Sequence, residues 1–148
     1  LLALPLAKQA KSVTLVDISE KMLEQARLKA EQQEIKNIQF LEQDLLENPL
    51  EQEFDLIVVC RVLHHMPDLY ESLSLFHKHL RENGQLLLAD FTKTEDNHHG
   101  FALAELEKQL IEHGFSSVHS QILYSAEDLF QGNYSELFLT VAQKSLAD

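Results

Sequence analysis

The sequence predicts an α/β domain: a doubly wound, mostly parallel sheet that finishes in an antiparallel C-terminal hairpin. Three observations predict it. Short apolar runs rich in Val, Ile and Leu alternate with longer amphipathic stretches almost to the end of the chain, the pattern of strands and crossover helices in a parallel sheet. Capping residues stand where those stretches begin or stop, at Ser19, Gly84 and Gly114, as helix boundaries require. The last two strand-like runs have no helix between them, so they read as a hairpin at one edge of the sheet.

Leu1 to Ala10 reads as part of a helix. Val13 to Val16, closed by Asp17, is β-branched and continuous, as suits a strand covered on both faces. Ser19 offers an N-cap oxygen for a helix from Glu20 to about Gln33, along which Met22, Ala26 and Ala30 recur at i, i+4 and i+8 on one face. Ile38 to Leu41 is a second strand, leading to Gln43 and Asp44. Phe54 to Cys60 is the longest apolar run and is expected to be the central strand. After Pro67 a helix from about Leu69 to Leu80 stops before Gly84, read as its C-terminal glycine. Gln85 to Phe91 is the next strand, and Phe101 to His113 a helix closed by Gly114. Val118 to Tyr124 and Leu137 to Ala142 form the hairpin, around a loop carrying Gly132 and Asn133.

The chain has 148 residues, 45% hydrophobic and 24% charged, enough for one domain with its own core and unlike a disordered or fibrous sequence. No repeat or flexible linker divides residues 1–148, so they read as a single domain. Twelve Lys and Arg against twenty-four Asp and Glu leave a net charge of −12, which repels phosphate backbones and anionic membranes; neither nucleic acid nor membrane is an expected partner. The apolar start at Leu1 to Leu6 is broken by Pro5, far short of the roughly 20 residues a membrane span needs. The single cysteine, Cys60, has no intramolecular partner, which suits the reducing cytoplasm.

In an open parallel sheet, ligands bind beyond the carboxyl ends of the strands. Asp17 stands there and can accept hydrogen bonds from both hydroxyls of a ribose, or serve as a solvated strand end. Asp44, with Leu45 beside it, can accept from the exocyclic amine of an adenine while the leucine packs on the ring, or can cap the following turn. Cys60-Arg61-Val62-Leu63-His64-His65-Met66-Pro67-Asp68 opens a loop after the longest apolar run. Adjacent histidines point apart on a regular backbone, which disfavours a shared metal, but His64 or His65 can face a substrate as hydrogen-bond partner or base. Asp96-Asn97-His98-His99-Gly100 has metal-site residue types, yet adjacent histidines in a polar loop read as solvated, and no metal is expected.

Together, Asp17 closing one strand, Gln43-Asp44 closing the next and Leu63-His64-His65-Met66-Pro67-Asp68 after Phe54-Asp55-Leu56-Ile57-Val58-Val59 resemble the class I, Rossmann-like S-adenosylmethionine-dependent methyltransferases. Within them, the resemblance is to the small-molecule group that includes the ubiquinone and menaquinone biosynthesis methyltransferases. It extends through Gly84-Gln85-Leu86-Leu87-Leu88 and Glu112-His113-Gly114-Phe115. It implies methyl transfer from S-adenosylmethionine to a small molecule and a strand order 3-2-1-4-5-7-6 with strand 7 antiparallel. It also implies that Asp17 holds the cofactor ribose, Ile18 and Met22 line the adenine, Asp44 meets its amine, Leu45 packs on the ring, and Cys60 and Arg61 lie by the methionine part through their backbones. His64 and His65 become substrate-side candidates, and no residue stands out as catalytic, because displacement at a sulfonium relies on positioning and needs a base only for a protonated nucleophile.

The group's first strand and its Asp/Glu-x-Gly-x-Gly-x-Gly loop have no counterpart: the four glycines stand at 84, 100, 114 and 132. The chain is therefore read as an N-terminally incomplete methyltransferase domain, with roughly 40 or more residues expected upstream to hold that strand and loop. Two alternatives stay open. One is a nicotinamide-dependent oxidoreductase using Asp17 on the ribose, against which Gln43-Asp44, the histidine loop and the lack of a Tyr-x-x-x-Lys pair count. The other is a non-catalytic, methyltransferase-like binding subunit.

Overall fold

The computed structural model describes residues 3–94, 100–130 and 133–145. The chain divides into two compact units, Leu1–Pro49 and Leu50–Asp148. In the first, α1 (Ala3–Ala7) leads to β1 (Val13–Asp17), α2 (Glu20–Gln32) and β2 (Ile38–Glu42). The β1 and β2 strands pair in parallel from Val13 opposite Ile38 to Asp17 opposite Glu42. The N-cap of α2 is as expected: Ser19 is extended and its side chain accepts from Met22 N. The buried stripe of α2 is Leu23, Ala26 and Ala30, and Met22 lies outside it, 50% exposed. An i, i+3, i+7 stripe turned by one residue fits the 3.6-residue period as well as i, i+4, i+8 does. Nor is β1 covered on both faces: its five residues are all half-buried, in a sheet of two strands.

The second unit holds β3 (Phe54–Cys60), a 3₁₀ turn (Leu63–His65), α3 (Leu69–His79), β4 (Leu80–Phe91), α4 (Leu103–Glu112), β5 (Phe115–Phe130) and β6 (Asn133–Lys144). Its sheet has the order β3-β4-β6-β5. The β3–β4 pair is parallel, and β6 runs antiparallel to both β4 and β5. Both units thus carry the neighbour relations that the order 3-2-1-4-5-7-6 assigns to these strands. The core gathers Val59, Leu63, Leu73, Phe76, Leu80, Leu86, Leu88, Leu106, Leu110, Phe115, Phe138 and Ala142. The longest apolar run is not central: among the described residues β3 ends its sheet with one hydrogen-bonded neighbour, and the most deeply buried strand side chains lie on β4 and β6.

Gly84 does not close α3. That helix ends at His79, and the residue in the left-handed region is Asn83, with φ 65°. The β3–β4 register shifts between Phe54 and Leu56, which passes over the stretch around Asn83. Gly84 answers to a different need: a Cβ there would come 2.8 Å from Arg81 O and 3.2 Å from Asp55 O. Gly114, with φ 92°, does close α4. The hairpin strands are longer than the apolar runs suggested, because polar residues continue the ladder as far as Phe130 opposite Asn133. Gly132 and the segment Asp96 to His99 lie outside the described residues. Among the described residues, no helix is long and apolar enough to cross a membrane.

Candidate functional site

In the first unit the carboxyl ends of β1 and β2 are laced together, with Gln43 N donating to Asp17 O at 3.0 Å. Asp17 Oδ1 accepts from Ser19 N at 2.9 Å, and this tight turn leaves Ile18 72% exposed beside the half-buried carboxylate. Asp44 has the same construction: its Oδ1 accepts from Leu46 N at 3.1 Å, and its carbonyl accepts from Asn48 N at 2.7 Å. The Gln43 side-chain amide donates to Asn48 O, drawing the loop closed. The result is an open cleft of about 890 Å³ lined by Ile18, Glu42, Gln43, Asp44, Glu47, Asn48 and Pro49. It brings two of the sequence candidates, Ile18 and Asp44, into one concavity. Asp17, Met22 and the half-buried Leu45 flank it in sequence without lining it.

In the second unit Cys60 ends β3 opposite Ala89. Arg61 then leaves the strand with φ 59°, its N–H still donating to Ala89 O at 2.7 Å. This backbone is uncommon for a side chain of that size. The Arg61 guanidinium carbon lies 5.9 Å from the centroid of the Phe91 ring. The 3₁₀ turn that follows buries Leu63 and brings the next two side chains together, the rings of His64 and His65 lying 3.9 Å apart between centroids and tilted by 43°. On a regular backbone they would diverge; the tight turn brings them together. Among the described residues no group of three His, Cys, Asp or Glu is arranged to hold a metal ion.

A residue that sequence reasoning passed over organises this end of the sheet. Asp90, with no exposed surface, accepts from His64 N at 3.1 Å, from Phe91 N at 2.8 Å and faces His64 Nδ1 at 2.9 and 3.0 Å. A buried carboxylate is stable only when paired and hydrogen-bonded in this way. The signal for it was present: Asp90 closes the run Leu86 to Ala89 as Asp17 closes Val13 to Val16, one residue before the apolar stretch resumes at Phe91.

An acid-closed parallel βαβ unit and a β3-β4-β6-β5 sheet with an antiparallel penultimate strand define the class I methyltransferase fold. Residues 1–139 match the family model described as a methyltransferase domain, and the chain belongs to that family. It is 25% identical over 95 residues to a ubiquinone biosynthesis O-methyltransferase of Rickettsia akari (strain Hartford), covering 64% of this chain and 38% of that protein. The chain spans well under half the length of the curated relatives it matches. Among solved structures, it is 27% identical to the magnesium protoporphyrin IX methyltransferase of Synechocystis PCC 6803 with bound S-adenosylmethionine, with a TM-score of 0.69 over 97% of this chain and 64% of that one. The [4+2]-cyclase SpnF superposes with a TM-score of 0.80 at 13% identity, covering 98% and 70%; that likeness is one of fold alone.

The residues present fit an adenosyl group. Asp17 and Asp44 each engage one oxygen with a main-chain amide, and no donor to either Oδ2 occurs among the described residues. Ile18 and Met22 supply large exposed apolar surfaces on the residue after Asp17 and on the first turn of α2. Carboxylate acceptors next to an apolar wall are what a nucleoside needs.

Proposed function

We propose that the protein transfers the methyl group of S-adenosylmethionine to a small-molecule acceptor. The observation that carries this reading is the pair of carboxylates at the ends of β1 and β2, each held by one oxygen and open at the other, with exposed Ile18 beside them. In this reading Asp17 accepts from the ribose hydroxyls, Ile18 and Met22 line the adenine, Asp44 accepts from its amine, and Leu45 supports the ring. Cys60 and Arg61 meet the methionine part through their backbones, and His64 and His65 stand on the acceptor side. S-adenosylmethionine brings an already activated leaving group, so the protein's contribution is orientation and exclusion of water. The Rickettsia relative is an O-methyltransferase, which favours an oxygen acceptor. The net charge of −12 argues against nucleic acid and anionic membranes as partners, and the unpaired Cys60 accords with a cytoplasmic setting.

Calorimetric titration of S-adenosylhomocysteine into the full-length protein tests the reading. Saturable binding that weakens tenfold to a hundredfold in Asp17→Asn supports it, this being the usual worth of a hydrogen bond to a charged group. Asn keeps an oxygen for Ser19 N, so the local turn survives the substitution. No binding by a folded wild type would overturn it; binding without turnover on any acceptor would favour a non-catalytic binding subunit.

A further inference from the structure

The strand β5 is the last in the order β3-β4-β6-β5, so among the described residues one of its sides has no ladder partner. An open edge is a template for another strand, and natural sheets blunt it with Lys, Pro, inward charges or bulges. From Phe115 to Ala126 β5 has no Asp, Glu, Lys, Arg or Pro, in a chain of which 24% is charged. Register shifts between Ser116 and His119 and between Ile122 and Tyr124 bend the strand, but His119 to Ile122 keeps a regular ladder opposite Val141 to Phe138. Ile122, Leu123 and Tyr124 follow one another with 44, 49 and 58% of their surfaces exposed. Ile122 stands opposite Phe138 and Tyr124 opposite Leu137. Successive residues of a strand point to opposite faces, so Ile122 and Tyr124 lie on opposite faces of the sheet. A helix laid on either face covers one of them, whereas a strand added in the plane of the sheet reaches both. Beside the start of the same strand is a cleft of about 570 Å³, lined by Ala104, Glu107, Lys108, Ile111, Glu112 and Val118. It offers the side chains of an added strand apolar surface together with charges of both signs.

We propose that β5 pairs antiparallel with β5 of a second copy of this chain, about a two-fold axis near Gln121, so that the sheet continues from one protomer into the other. Charge selects a second copy as the occupant. Two chains of net charge −12 repel over most of their surfaces, and the charge-free run is where they approach without opposing acids. A two-fold contact uses the same patch on both sides, so neutral run meets neutral run by construction. With the axis near Gln121, Glu127, the first acid beyond the run, falls beside the uncharged Phe115 end of the other strand. It does not meet its own counterpart, an opposition that destabilises a strand pair. A basic partner is drawn instead to the acidic remainder of the molecule, and a polyanion is repelled by it. The pairing is independent of the methyl-transfer reading.

Sedimentation velocity of the full-length protein, over about a hundredfold range of concentration, tests the pairing, since mass action drives a dimer apart on dilution. The wild type should pass from the mass of one chain to that of two. Leu123→Lys, which puts on the edge the residue natural sheets use to block pairing, should weaken the dimer about tenfold or more. Leu28→Lys, an equally exposed leucine on α2, should leave it intact. Gln121→Lys and Gln121→Glu should each pair with themselves about fivefold more weakly than wild type, because like charges then oppose across the axis. Their equimolar mixture should recover the loss, which no folding defect imitates. Hydrogen exchange on the wild type should show the amides of residues 119–125 slowing as concentration rises. A wild type that stays one chain throughout overturns the proposal, as does a dimer indifferent to Leu123→Lys. Slow exchange of the same amides in a single chain at every concentration assigns the edge to another segment of that chain, and this too overturns it.

Discussion

Asp90 grips His64 at two points, accepting from its main-chain N–H at 3.1 Å and facing its ring Nδ1 at 2.9 Å, with no part of the carboxylate reaching solvent. Removing that carboxylate strands the amides of His64 and Phe91 and the ring together. Asp90→Ala is therefore expected to destabilise the protein by about 3 kcal/mol, measured by urea unfolding. Asp90→Asn, which keeps the shape and one acceptor, should cost visibly less, and equal losses for the two would contradict this account.

Gly114 closes α4 with φ 92°, and a Cβ there would stand 2.7 Å from His77 Nε2. Two penalties combine, a left-handed backbone and a clash with a ring packed edge-on against Phe115. Gly114→Ala should cost about 2 kcal/mol, and His77→Ala in the same chain should recover part of the loss by removing the clashing ring. A calorimetric Tm for the single and double variants decides it.

His77 also carries a pH signature. Burial lowers its pKa below 6.5, the nearby Lys144 and His113 lower it further, and a hydrogen bond to the Gly114 backbone opposes them. The folded state thus binds its proton less readily than the unfolded chain does. On falling pH the unfolded chain protonates first, so His77 contributes stability that is present above about 6.5 and is lost as pH drops through that value toward the lowered one. Tm measured from pH 7.5 to 5 should fall less steeply in His77→Gln than in wild type. Lys144→Gln should flatten it in part, and an unchanged slope in His77→Gln would refute the assignment.

Asn37 ties the end of α1 to the chain before β2: its Nδ2 donates to Ala7 O at 2.7 Å and to Ala10 O at 3.0 Å. Asn37→Ala loses both bonds and should cost about 1 to 2 kcal/mol. The near-isosteric Asn37→Asp turns a donor into an acceptor facing carbonyl oxygens and should cost more than Ala at neutral pH, the reverse of what shape alone would suggest. Chemical denaturation of the two variants orders them.

What sequence could reveal here follows locality. The strand β1 and the Ser19 cap were legible because a β-branched run and a hydroxyl before a helix act through neighbouring residues. The position of β3 at the end of its sheet was not, because apolar length reports burial in general and strand order is set by partners far along the chain. Asp44 and Ile18 were legible as candidates, whereas Glu42, Glu47 and Asn48, which complete their cleft, depend on how the Gln43 and Asp44 hydrogen bonds fold the loop. The His64–Asp90 pair joins residues 26 apart in the chain, and only the parallel pairing of β3 with β4 makes them neighbours. Arg61 could not have been assigned a left-handed backbone from its type.

Three carboxylates, Glu42, Asp44 and Glu47, surround the cleft beside Ile18, on a chain whose net charge is −12. In the proposed reaction the incoming methyl donor is a cation overall, since its sulfonium and ammonium outnumber its carboxylate, whereas the demethylated product is neutral. An acidic cleft therefore discriminates in time as well as in space: it hastens capture of the donor and gives the product no comparable pull. Added salt should slow the first and leave the second nearly untouched, so competition by product sharpens as ionic strength rises.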